Sequence, residues 1–407
     1  MMKVVVQGLF VLACLSPVIR AQQPAATGVR IDIGDQNIVG AAFDDGAGVF
    51  FVQQRIYSPV DNVYRSHRRI SSWSLDKHTM VAERDFDLDP TPKQLNHLPP
   101  CGNVAVAEKA NRILVCRLDG VEILDATSLR TIGKLALPSP RQSDAPHRLL
   151  GPQSAGQDQK TYELAVDEAR DRVLLLSSRS GSQYPLSYSG SLWLTSYSLL
   201  DGTEREDVQL GSLGLVDHAE LGFDPERGNV AVSMTYRGQN PWTSDIYLCS
   251  DIDLIRCARA AQVDPVSQMS FLGNKLLFVV DREDRKEDCV MSLDLNTHEV
   301  RSDYCASDTG IRFALGVADG KCVVAFAGTR RRAGLSEGYV NVQNDFSIWC
   351  KNSPRTGSST KYLMDKGVGQ RSMRIAASTT RPYFLAYSVP QQYHKVELDL
   401  YSVSGCN

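Results

Sequence analysis

Residues 163–177 read ELAVDEARDRVLLLS, and this stretch decides the fold. A short apolar run at 164–166 is followed by a polar turn and then by a second apolar run at 173–176. Two such runs around a polar turn are typical of an antiparallel β-hairpin. Farther along, the alternating segment LWLTSYSL at 192–199 predicts a third strand, and a turn at 201–202 leads into a fourth. Four consecutive strands therefore form one structural unit.

The same hairpin pattern occurs seven times along the chain. The copies lie at 38–52, 103–116, 163–177, 220–234, 268–280, 312–327 and 373–388. A unit repeated in this way buries its apolar faces against its neighbours, so the repeats form an array with one continuous core. We predict an all-β fold, a seven-bladed β-propeller of four-stranded antiparallel blades. The blades are expected to start near residues 38, 101, 162, 219, 268, 312 and 373.

The two ends of the chain predict how the ring closes. The strand pattern at 29–33 precedes the first full blade, and the last blade is one strand short. We expect strand 29–33 to pair beside 396–403 and to complete the last blade, because closure removes exposed strand edges. Residues 22–407 would then form a single propeller domain.

Residues 1–21 have the features of a cleaved secretory signal peptide. They combine Lys3, an apolar run at 4–15 and the small residue Ala21 at the expected cleavage point. The apolar run is too short for a transmembrane anchor, which needs about 20 apolar residues. A lipoprotein site at Cys14 is the other alternative, but Leu12 fits that motif poorly. We predict a secreted or periplasmic protein that does not insert stably into a membrane.

The repeat resembles that of a known superfamily. Residues 121–132, with an apolar strand, Asp125, Thr127 and a β-rich exit, resemble the repeat of the YVTN and WD40-like seven-bladed propellers, the quinoprotein amine dehydrogenase β-chain-like superfamily. The resemblance implies the propeller fold for nearly the whole mature chain. The superfamily contains enzymes, enzyme subunits and scaffolds, so it leaves the function open.

Eight of the ten cysteines fall into pairs on the predicted strands. The expected disulfides are Cys101–Cys116, Cys249–Cys257, Cys289–Cys305 and Cys322–Cys350. Cys14 lies in the predicted signal peptide, and Cys406 is left over, either free or joined to something outside the chain. In an exported protein without a C-x-x-C motif, disulfides are favoured over metal ligation. Neither a metal nor a cofactor is predicted.

The predicted connections differ in length between the two faces of the propeller. Turns such as 44–46, 108–111 and 224–228 form a short-turn face. The other connections form a long-loop face and include 55–69, 87–100, 138–160, 179–191, 236–244, 281–288, 330–344 and 353–371. Binding sites usually lie in long loops on a rigid scaffold. We therefore predict that the long-loop face binds a protein, a peptide or a glycan.

Aromatic and basic residues on the long-loop face are the candidate binding residues. They are Tyr57, Arg65, His67, Tyr184, Tyr188, Tyr236, Trp242, Arg330, Arg331 and Arg332. Aromatic and arginine side chains dominate recognition hot spots. The net charge of -3 provides no broad basic field for nucleic acid or an anionic membrane.

Two other functions stay open at this point. The sequence has no H-E-x-x-H, no G-x-S-x-G and no glycine-rich phosphate loop, so no catalytic residue is predicted. A hydrolase resembling propeller lactonases, with histidines and acidic side chains over the central channel, is the alternative to a non-catalytic binding protein. A purely structural accessory subunit is the third possibility, and it would expose an apolar patch on a blade edge.

Overall fold

A computed structural model describes residues 25–34, 37–60, 63–88, 104–117, 120–136, 159–180, 189–236, 243–249, 256–282, 287–307, 309–334, 338–350, 358–361, 371–390 and 398–405. The strands in these ranges form seven antiparallel blades of four strands each. The innermost strands of successive blades contact one another, and those of the last and first blades also meet. The predicted seven-bladed β-propeller is confirmed.

The first three blades follow the chain order. Strand β1, Ala25–Arg30, precedes blade one. Blade one contains Asn37–Asp44 (β2), Val49–Val60 (β3), Val63–Ser74 (β4) and Met80–Leu88 (β5). Blade two contains Val104–Ala107 (β6), Arg112–Arg117 (β7), Gly120–Asp125 (β8) and Thr131–Ala136 (β9). Blade three contains Gln159–Asp167 (β10), the 3₁₀ turn Glu168–Arg170, Arg172–Ser180 (β11), Ser189–Ser198 (β12) and the first half of Glu204–Phe223 (β13).

The last four blades complete the ring. Blade four contains the second half of β13, Val230–Tyr236 (β14), Ser244–Cys249 (β15) and Cys257–Val263 (β16). Blade five contains Val266–Leu272 (β17), Lys275–Arg282 (β18), Glu287–Asp294 (β19) and Val300–Ser307 (β20). Blade six contains Thr309–Ala318 (β21), Cys322–Gly334 (β22), Gly338–Cys350 (β23) and Ser358–Lys361 (β24). Blade seven contains Arg371–Ala377 (β25), Tyr383–Pro390 (β26), Leu398–Ser404 (β27) and β1.

The hydrophobic core lies between the blades. The described buried side chains form seven apolar clusters, and each cluster is shared by two neighbouring blades. The run Val173–Leu176 shows how the sequence produces this arrangement, because its side chains alternate between the two faces of blade three. Val173 and Leu175 pack toward blade two, while Leu174 and Leu176 pack toward blade four. A continuous apolar run is thus a strand that is covered on both faces.

The N-terminal strand closes the ring as expected. β1 pairs antiparallel with β27, and Arg30 lies opposite Asp399 in this register. The Arg30 Nε donates to Asp399 Oδ1 over 2.9 Å, and the Asp399 side chain is fully buried. The strand begins at Ala25, earlier than the predicted start at 29, so the closure uses more of the chain than the apolar pattern indicated.

Two connections that were expected to be long loops are extensions of strands. β3 and β4 stay paired as far as Val60 and Val63, inside the segment 55–69 that was interpreted as a loop. β22 and β23 stay paired as far as Gly334 and Gly338, inside the segment 330–344. The polar residues suggested loops, but backbone pairing does not require apolar side chains and both segments contain β-branched and aromatic residues. Blades one and six therefore extend as long hairpins on the long-loop face.

The cysteines confirm two of the four predicted disulfides. Cys249–Cys257 and Cys289–Cys305 are both bonded and lie directly opposite each other in paired strands. Cys116 is also in a disulfide, but Cys101 lies outside the described residues, so their pairing stays a prediction. The prediction of Cys322–Cys350 is wrong.

Cys322 and Cys350 lie opposite each other in β22 and β23, as the blade pattern predicted. Cys322 is nevertheless a free, buried thiol, while Cys350 is in a disulfide with another cysteine. Strand register therefore brought the two residues together without determining the bond. Cys406, the cysteine left over by the sequence, lies outside the described residues, as do residues 1–21.

Hydrogen bonds between turns tie the blades together on the short-turn face. Asp45 in blade one accepts from the Ser378 hydroxyl of blade seven over 2.6 Å. Glu108 in blade two accepts from the Asp45 backbone N–H over 3.0 Å, and Glu168 in blade three accepts from the Ala110 N–H over 3.2 Å. Each of these carboxylates therefore links its own turn to the preceding turn of the ring. Among the described residues, no helix has the length and apolar character needed to cross a membrane.

Candidate functional site in the central channel

The innermost strands place polar side chains at one repeated position along the channel. In three blades, the innermost strand has a charged residue about four residues before the turn that follows the strand. This residue is Glu163 in blade three, Glu220 in blade four and Arg374 in blade seven. Gln268 has the corresponding position in blade five. Its side-chain oxygen accepts from the Leu315 backbone N–H of the next blade, just as the Glu163 carboxyl group accepts from a backbone N–H of the next blade. The strands are otherwise mostly apolar. These polar residues therefore face the channel and not the packed interfaces between blades.

A β-bulge precedes the polar position in three of these strands. The strand register shifts between Thr161 and Glu163 in blade three. It shifts just before Glu220 in blade four, at 216–218, and just before Gln268 in blade five, at 266–268. A bulge turns the following side chains relative to the regular strand, and bulges are frequent beside functional sites. The bulge thus accompanies the polar position in blades three, four and five, whereas the strand of Arg374 is regular.

Arg374 connects opposite sides of the ring. Its Nη1 lies 3.5 Å from Glu163 Oε1, and its Nη2 lies 3.5 Å from Glu220 Oε1. Blade seven lies across the channel from blades three and four, so this arginine spans the channel to meet both carboxyl groups. The two glutamate side chains are only 8% and 5% exposed, whereas Arg374 is 30% exposed. The cluster of Glu163, Glu220, Arg374 and His218 is called the channel cluster below.

The two glutamates lie close enough for their charges to interact. Burial and the neighbouring Glu220 charge raise the pKa of Glu163 well above its ordinary value. The Leu221 backbone N–H also donates to Glu163 Oε2 over 2.7 Å. Glu163 therefore binds a proton more readily than an exposed glutamate does.

Arg374 stays charged in this environment. Burial alone would lower the pKa of its guanidinium, but the carboxylates of Glu220 and Glu163 outweigh that effect and raise it. Tyr387 lies next to the cluster, and burial raises the pKa of its phenol. The channel therefore holds a fixed cation beside a carboxyl pair of variable protonation.

His218 is the member of the channel cluster that lies nearest the long-loop face. Its Nε2 lies 2.5 Å from Glu220 Oε1, and its side chain is 33% exposed. The second half of β13 runs toward the turn that begins at Asp224 on the short-turn face. His218 therefore lies nearer than Glu220 to the long-loop face. A ligand that enters from that face would meet His218 before the buried carboxyl pair.

This arrangement suits proton exchange and polar recognition. The neighbouring side chains of His218, Glu220 and Glu163 can donate and accept hydrogen bonds, and Arg374 supplies a positive charge. The described residues contain one group with metal-ligand spacing elsewhere, Glu287, Cys289 and Cys305. Its two sulfur atoms are joined in the disulfide of blade five, which removes them as metal ligands.

The candidate binding residues of blade one lie on the extended hairpin of β3 and β4. Tyr57 is 48% exposed, and the Arg55 guanidinium lies 5.8 Å from the centre of its ring. His67 lies on β4 with its Nε2 3.7 Å from Asp85 Oδ1. Both residues are therefore part of a polar surface on blade one and are remote in the chain from the channel cluster.

The other sequence-predicted residues are spread over several blades. Arg65 lies on β4 and Tyr236 ends β14, while Arg330, Arg331 and Arg332 lie on β22. Tyr184, Tyr188 and Trp242 lie outside the described residues. The candidates for which the structure describes a position thus belong to blades one, four and six, and they stay a prediction.

Sequence reasoning missed the central residues of the channel cluster. Glu163, Glu220 and Arg374 each occur within or at the start of an apolar strand, and each was interpreted as part of the repeated hairpin. The available signal was that the same position of the repeat is charged in three blades. A charged residue in a buried strand needs a partner, and Glu163 and Glu220 share theirs, Arg374, across the channel.

Comparisons with known proteins support the fold alone. The sequence matches no protein-family model and no curated protein. Among solved structures, oligogalacturonate lyase from Vibrio parahaemolyticus is similar with a TM-score of 0.55 at 8% identity, over 94% of this chain and 97% of that chain. The β-propeller domain of the Trilobed protease from Pyrococcus furiosus has a TM-score of 0.50 at 12% identity, over 90% and 93% of the two chains. These proteins share the propeller fold.

A third similar structure belongs to a longer protein. Pyrococcus horikoshii acylaminoacyl peptidase has a TM-score of 0.54 at 12% identity over 90% of this chain. The match covers 51% of the peptidase, so this chain spans about half of its length. At such low identities the enzymes show which fold this chain has, and they do not show its activity.

Replacement of Glu163 with glutamine is expected to make the protein more stable at neutral pH, by on the order of 1 kcal/mol. The raised pKa of Glu163 means that the folded state binds its proton more tightly than the unfolded state. This stabilisation is complete below the unfolded pKa near 4.5 and is lost as the pH rises through the folded pKa. Glutamine keeps the hydrogen bonds of the protonated form at every pH.

Urea unfolding of the wild type and Glu163→Gln across a pH series measures this difference. The advantage of the variant should be smallest near pH 4.5 and should grow as the pH increases. A constant difference at all pH values would show that Glu163 holds no extra proton in the folded state.

Proposed function

We propose that this propeller is an exported, non-catalytic binding protein that recognises a protein, a peptide or a glycan through its long-loop face. The observation that carries the proposal is the position of the channel cluster. His218, which is 33% exposed, lies toward the long-loop face, and the buried carboxyl pair and the partly exposed Arg374 combine charge with hydrogen-bonding capacity. A polar group of the ligand would be recognised there.

The contrast between the two faces of the propeller also favours binding on the long-loop face. On the short-turn face, the carboxylates of Asp45, Glu108 and Glu168 are used in hydrogen bonds between turns. On the long-loop face, blade one extends a hairpin with the exposed Tyr57, and blade six extends the hairpin that contains Arg330–Arg332. Long elements around a channel opening form a concave surface, which is the usual shape of a binding site.

Export is supported by the cysteines. The disulfides Cys249–Cys257 and Cys289–Cys305 join neighbouring strands, and such bonds persist in oxidising compartments. The predicted signal peptide at 1–21 is consistent with the same compartment. The partner we propose is therefore extracellular or periplasmic.

Binding to printed glycan and peptide arrays tests the proposal. The labelled wild-type protein is compared with His218→Ala and with the triple variant Arg330→Ala, Arg331→Ala and Arg332→Ala. We expect each change to reduce the signal of the bound spots by roughly tenfold or more, because the centre of an interface contributes most of its binding energy. The melting temperature of the triple variant should stay close to that of the wild type, because these arginines are expected to lie in solvent.

Lys109→Ala is the control, because Lys109 is exposed in a turn of the short-turn face. Its array signals should equal those of the wild type. If the long-loop variants bind as well as the wild type, or if the Lys109 variant loses the same spots, binding through the long-loop face is wrong.

The carboxyl pair favours a hydrolase as the second candidate function. A carboxyl group with a raised pKa next to a second carboxylate is a common arrangement for general acid and base catalysis. Here Glu163 would be the acid, and Glu220, in contact with His218, would be the base. Hydrolysis of esters or lactones by the wild type that is abolished in Glu220→Gln would favour this enzyme over the non-catalytic binding protein.

A further inference from the structure

The channel cluster contains more acidic groups than permanent positive charges. Among the described residues at the repeated channel position, Glu163 and Glu220 are the acidic ones, and Arg374 is the one with a permanent positive charge. His218 is charged only when it is protonated, so it supplies no permanent charge. Two carboxyl groups therefore face a single permanent cation.

The inner strands on either side of Arg374 have small residues at the repeated position. Blade one has Gly40 there and blade six has Ala314, each four residues before the last paired residue of its inner strand. Glu163 occupies the same place in blade three. Because glycine and alanine have no polar side-chain atom, these two positions add no charge to the channel.

Arg374 contacts both carboxyl groups at long distances. Its Nη1 and Nη2 atoms lie 3.5 Å from Glu163 Oε1 and Glu220 Oε1, respectively. Charge-assisted hydrogen bonds between a cationic nitrogen and a carboxylate oxygen are shorter, about 2.7–2.9 Å. One guanidinium that reaches two carboxyl groups across the channel thus binds neither of them closely. A second cationic donor beside the two glutamates would form shorter bonds and balance the second carboxylate.

We propose that the channel cluster binds a primary ammonium group of the ligand, placed between Glu163 and Glu220. The inference rests on the proposed function, because the long-loop face would deliver this group into the channel. An ammonium is a compact cation with three N–H donors, and ionised carboxyl groups supply the matching acceptors. An anionic group would meet like charges at buried positions and is disfavoured there. A lysine side chain and a free peptide N-terminus both carry the required group.

The exposure of the cluster allows such a group to enter. The His218 and Arg374 side chains are 33% and 30% exposed, so solvent reaches both of them. The glutamates that they contact are only 8% and 5% exposed. Lysine has a long apolar stem that can be buried while its charged end contacts a carboxylate. An ion pair at such a buried position is screened less by water than an exposed one.

Binding of an ammonium group is expected to release a proton from the protein. Burial and the neighbouring Glu220 charge raise the pKa of Glu163, and a bound cation favours the ionised form of that carboxyl group. The affinity should therefore increase with pH, by up to about tenfold per unit, until Glu163 is ionised in the free protein. Arg374 stays charged, and burial raises the pKa of Tyr387, which keeps its phenol neutral. His218 is the other group of the cluster that can exchange a proton.

Isothermal titration calorimetry of the full chain with its native disulfides tests the proposal. The probes are two short Gly-Ser peptides, one with a single lysine and a blocked N-terminus, the other with a free N-terminus and no lysine. Each is compared with its acetylated counterpart, and we expect acetylation to weaken the binding of at least one of them by roughly tenfold or more. Titration between about pH 6 and 8, in buffers with different ionisation enthalpies, should show the released proton. If acetylation weakens the binding of neither peptide, the ammonium site is wrong.

Three variants assign the effect to the channel cluster. Glu163→Gln can still accept from the Leu221 N–H but cannot ionise, so it should bind the amine roughly tenfold more weakly and lose the proton release. His218→Gln should retain the proton release, which separates the two titratable groups. Lys109→Ala, on the short-turn face, should match the wild type. Equal binding by the wild type and Glu163→Gln would overturn the ammonium site.

The printed arrays separate this inference from the proposed function. Spots without a primary amine that depend on His218 and the three arginines for binding would leave the long-loop face as the binding surface and overturn the ammonium site. If no spot depends on those residues, but an amine peptide binds the wild type and not Glu163→Gln, the long-loop face is wrong and the ammonium site is supported.

Discussion

Replacement of Arg374 with methionine is expected to lower the free energy of unfolding by roughly 2–3 kcal/mol at neutral pH. The methionine keeps much of the apolar stem but removes the guanidinium that lies 3.5 Å from both Glu163 and Glu220. The two buried carboxyl groups then lack their neutralising charge, which is the costly outcome of breaking a buried ion pair. The partial exposure of Arg374 keeps the effect below that of a fully buried pair.

Chemical denaturation of the wild type and the Arg374→Met variant measures this loss. Arg381→Met is the matched control, because Arg381 is an arginine of the same blade that follows the Ser378 turn on the short-turn face. Its effect should stay within about 0.5 kcal/mol. Equal losses in the two variants would contradict a special role for the bridge across the channel.

A second substitution tests whether Arg374 stabilises the protein through its charge or through the packing of its stem. Adding Glu163→Gln to Arg374→Met removes one carboxyl group, so the double variant should recover part of the lost stability. The loss in Arg374→Met should also shrink at acidic pH, because protonation neutralises the glutamates. If neither change restores stability, the arginine acts through the contacts of its stem and not through its charge.

Deletion of residues 25–33 is expected to destabilise the propeller by on the order of 5 kcal/mol. The deletion removes β1, which is the fourth strand of blade seven, and it removes Ile31, which is 4% exposed. It also removes Arg30, so the fully buried carboxylate of Asp399 loses its partner. Loss of a strand, an apolar contact and an ion pair together explains the large effect.

Thermal unfolding of a chain that lacks residues 25–33 tests the closure. Thr27→Ala is the control, because Thr27 is an exposed residue of the same strand and the change keeps the backbone pairing with β27. The deletion should lower the melting temperature sharply, whereas Thr27→Ala should change it little. An unchanged melting temperature after the deletion would mean that the ring does not depend on this strand.

Local sequence patterns predicted the blades because hairpins are formed by neighbouring residues. The apolar runs around 167–172 identified the first two strands of blade three, and the structure has β10 and β11 there. The pairs Cys249–Cys257 and Cys289–Cys305 were predicted for the same reason, since each pair lies in consecutive antiparallel strands. Such contacts depend on turn position and strand register, and both can be deduced from a short stretch of sequence.

The candidate site was not predictable in this way. Arg374 and Glu220 are 154 positions apart in the sequence, and Glu163 is still farther from Arg374. Their contact depends on the number of blades, on the closure of the ring and on the bulges that direct the side chains into the channel. None of these is a property of one strand. The sequence provided three charges at the same repeat position, and only the closed ring brought them together.

The sequence by itself thus determined the repeating hairpins, the all-β class and the strand register, because those follow from the order of apolar and polar residues within a few strands. The tertiary structure decided which charged residues meet in the channel. Their contact involves chain segments that approach each other only after the blades have assembled. The physical reason is that a closed ring brings opposite blades and both chain ends together, whereas sequence patterns describe only neighbouring strands.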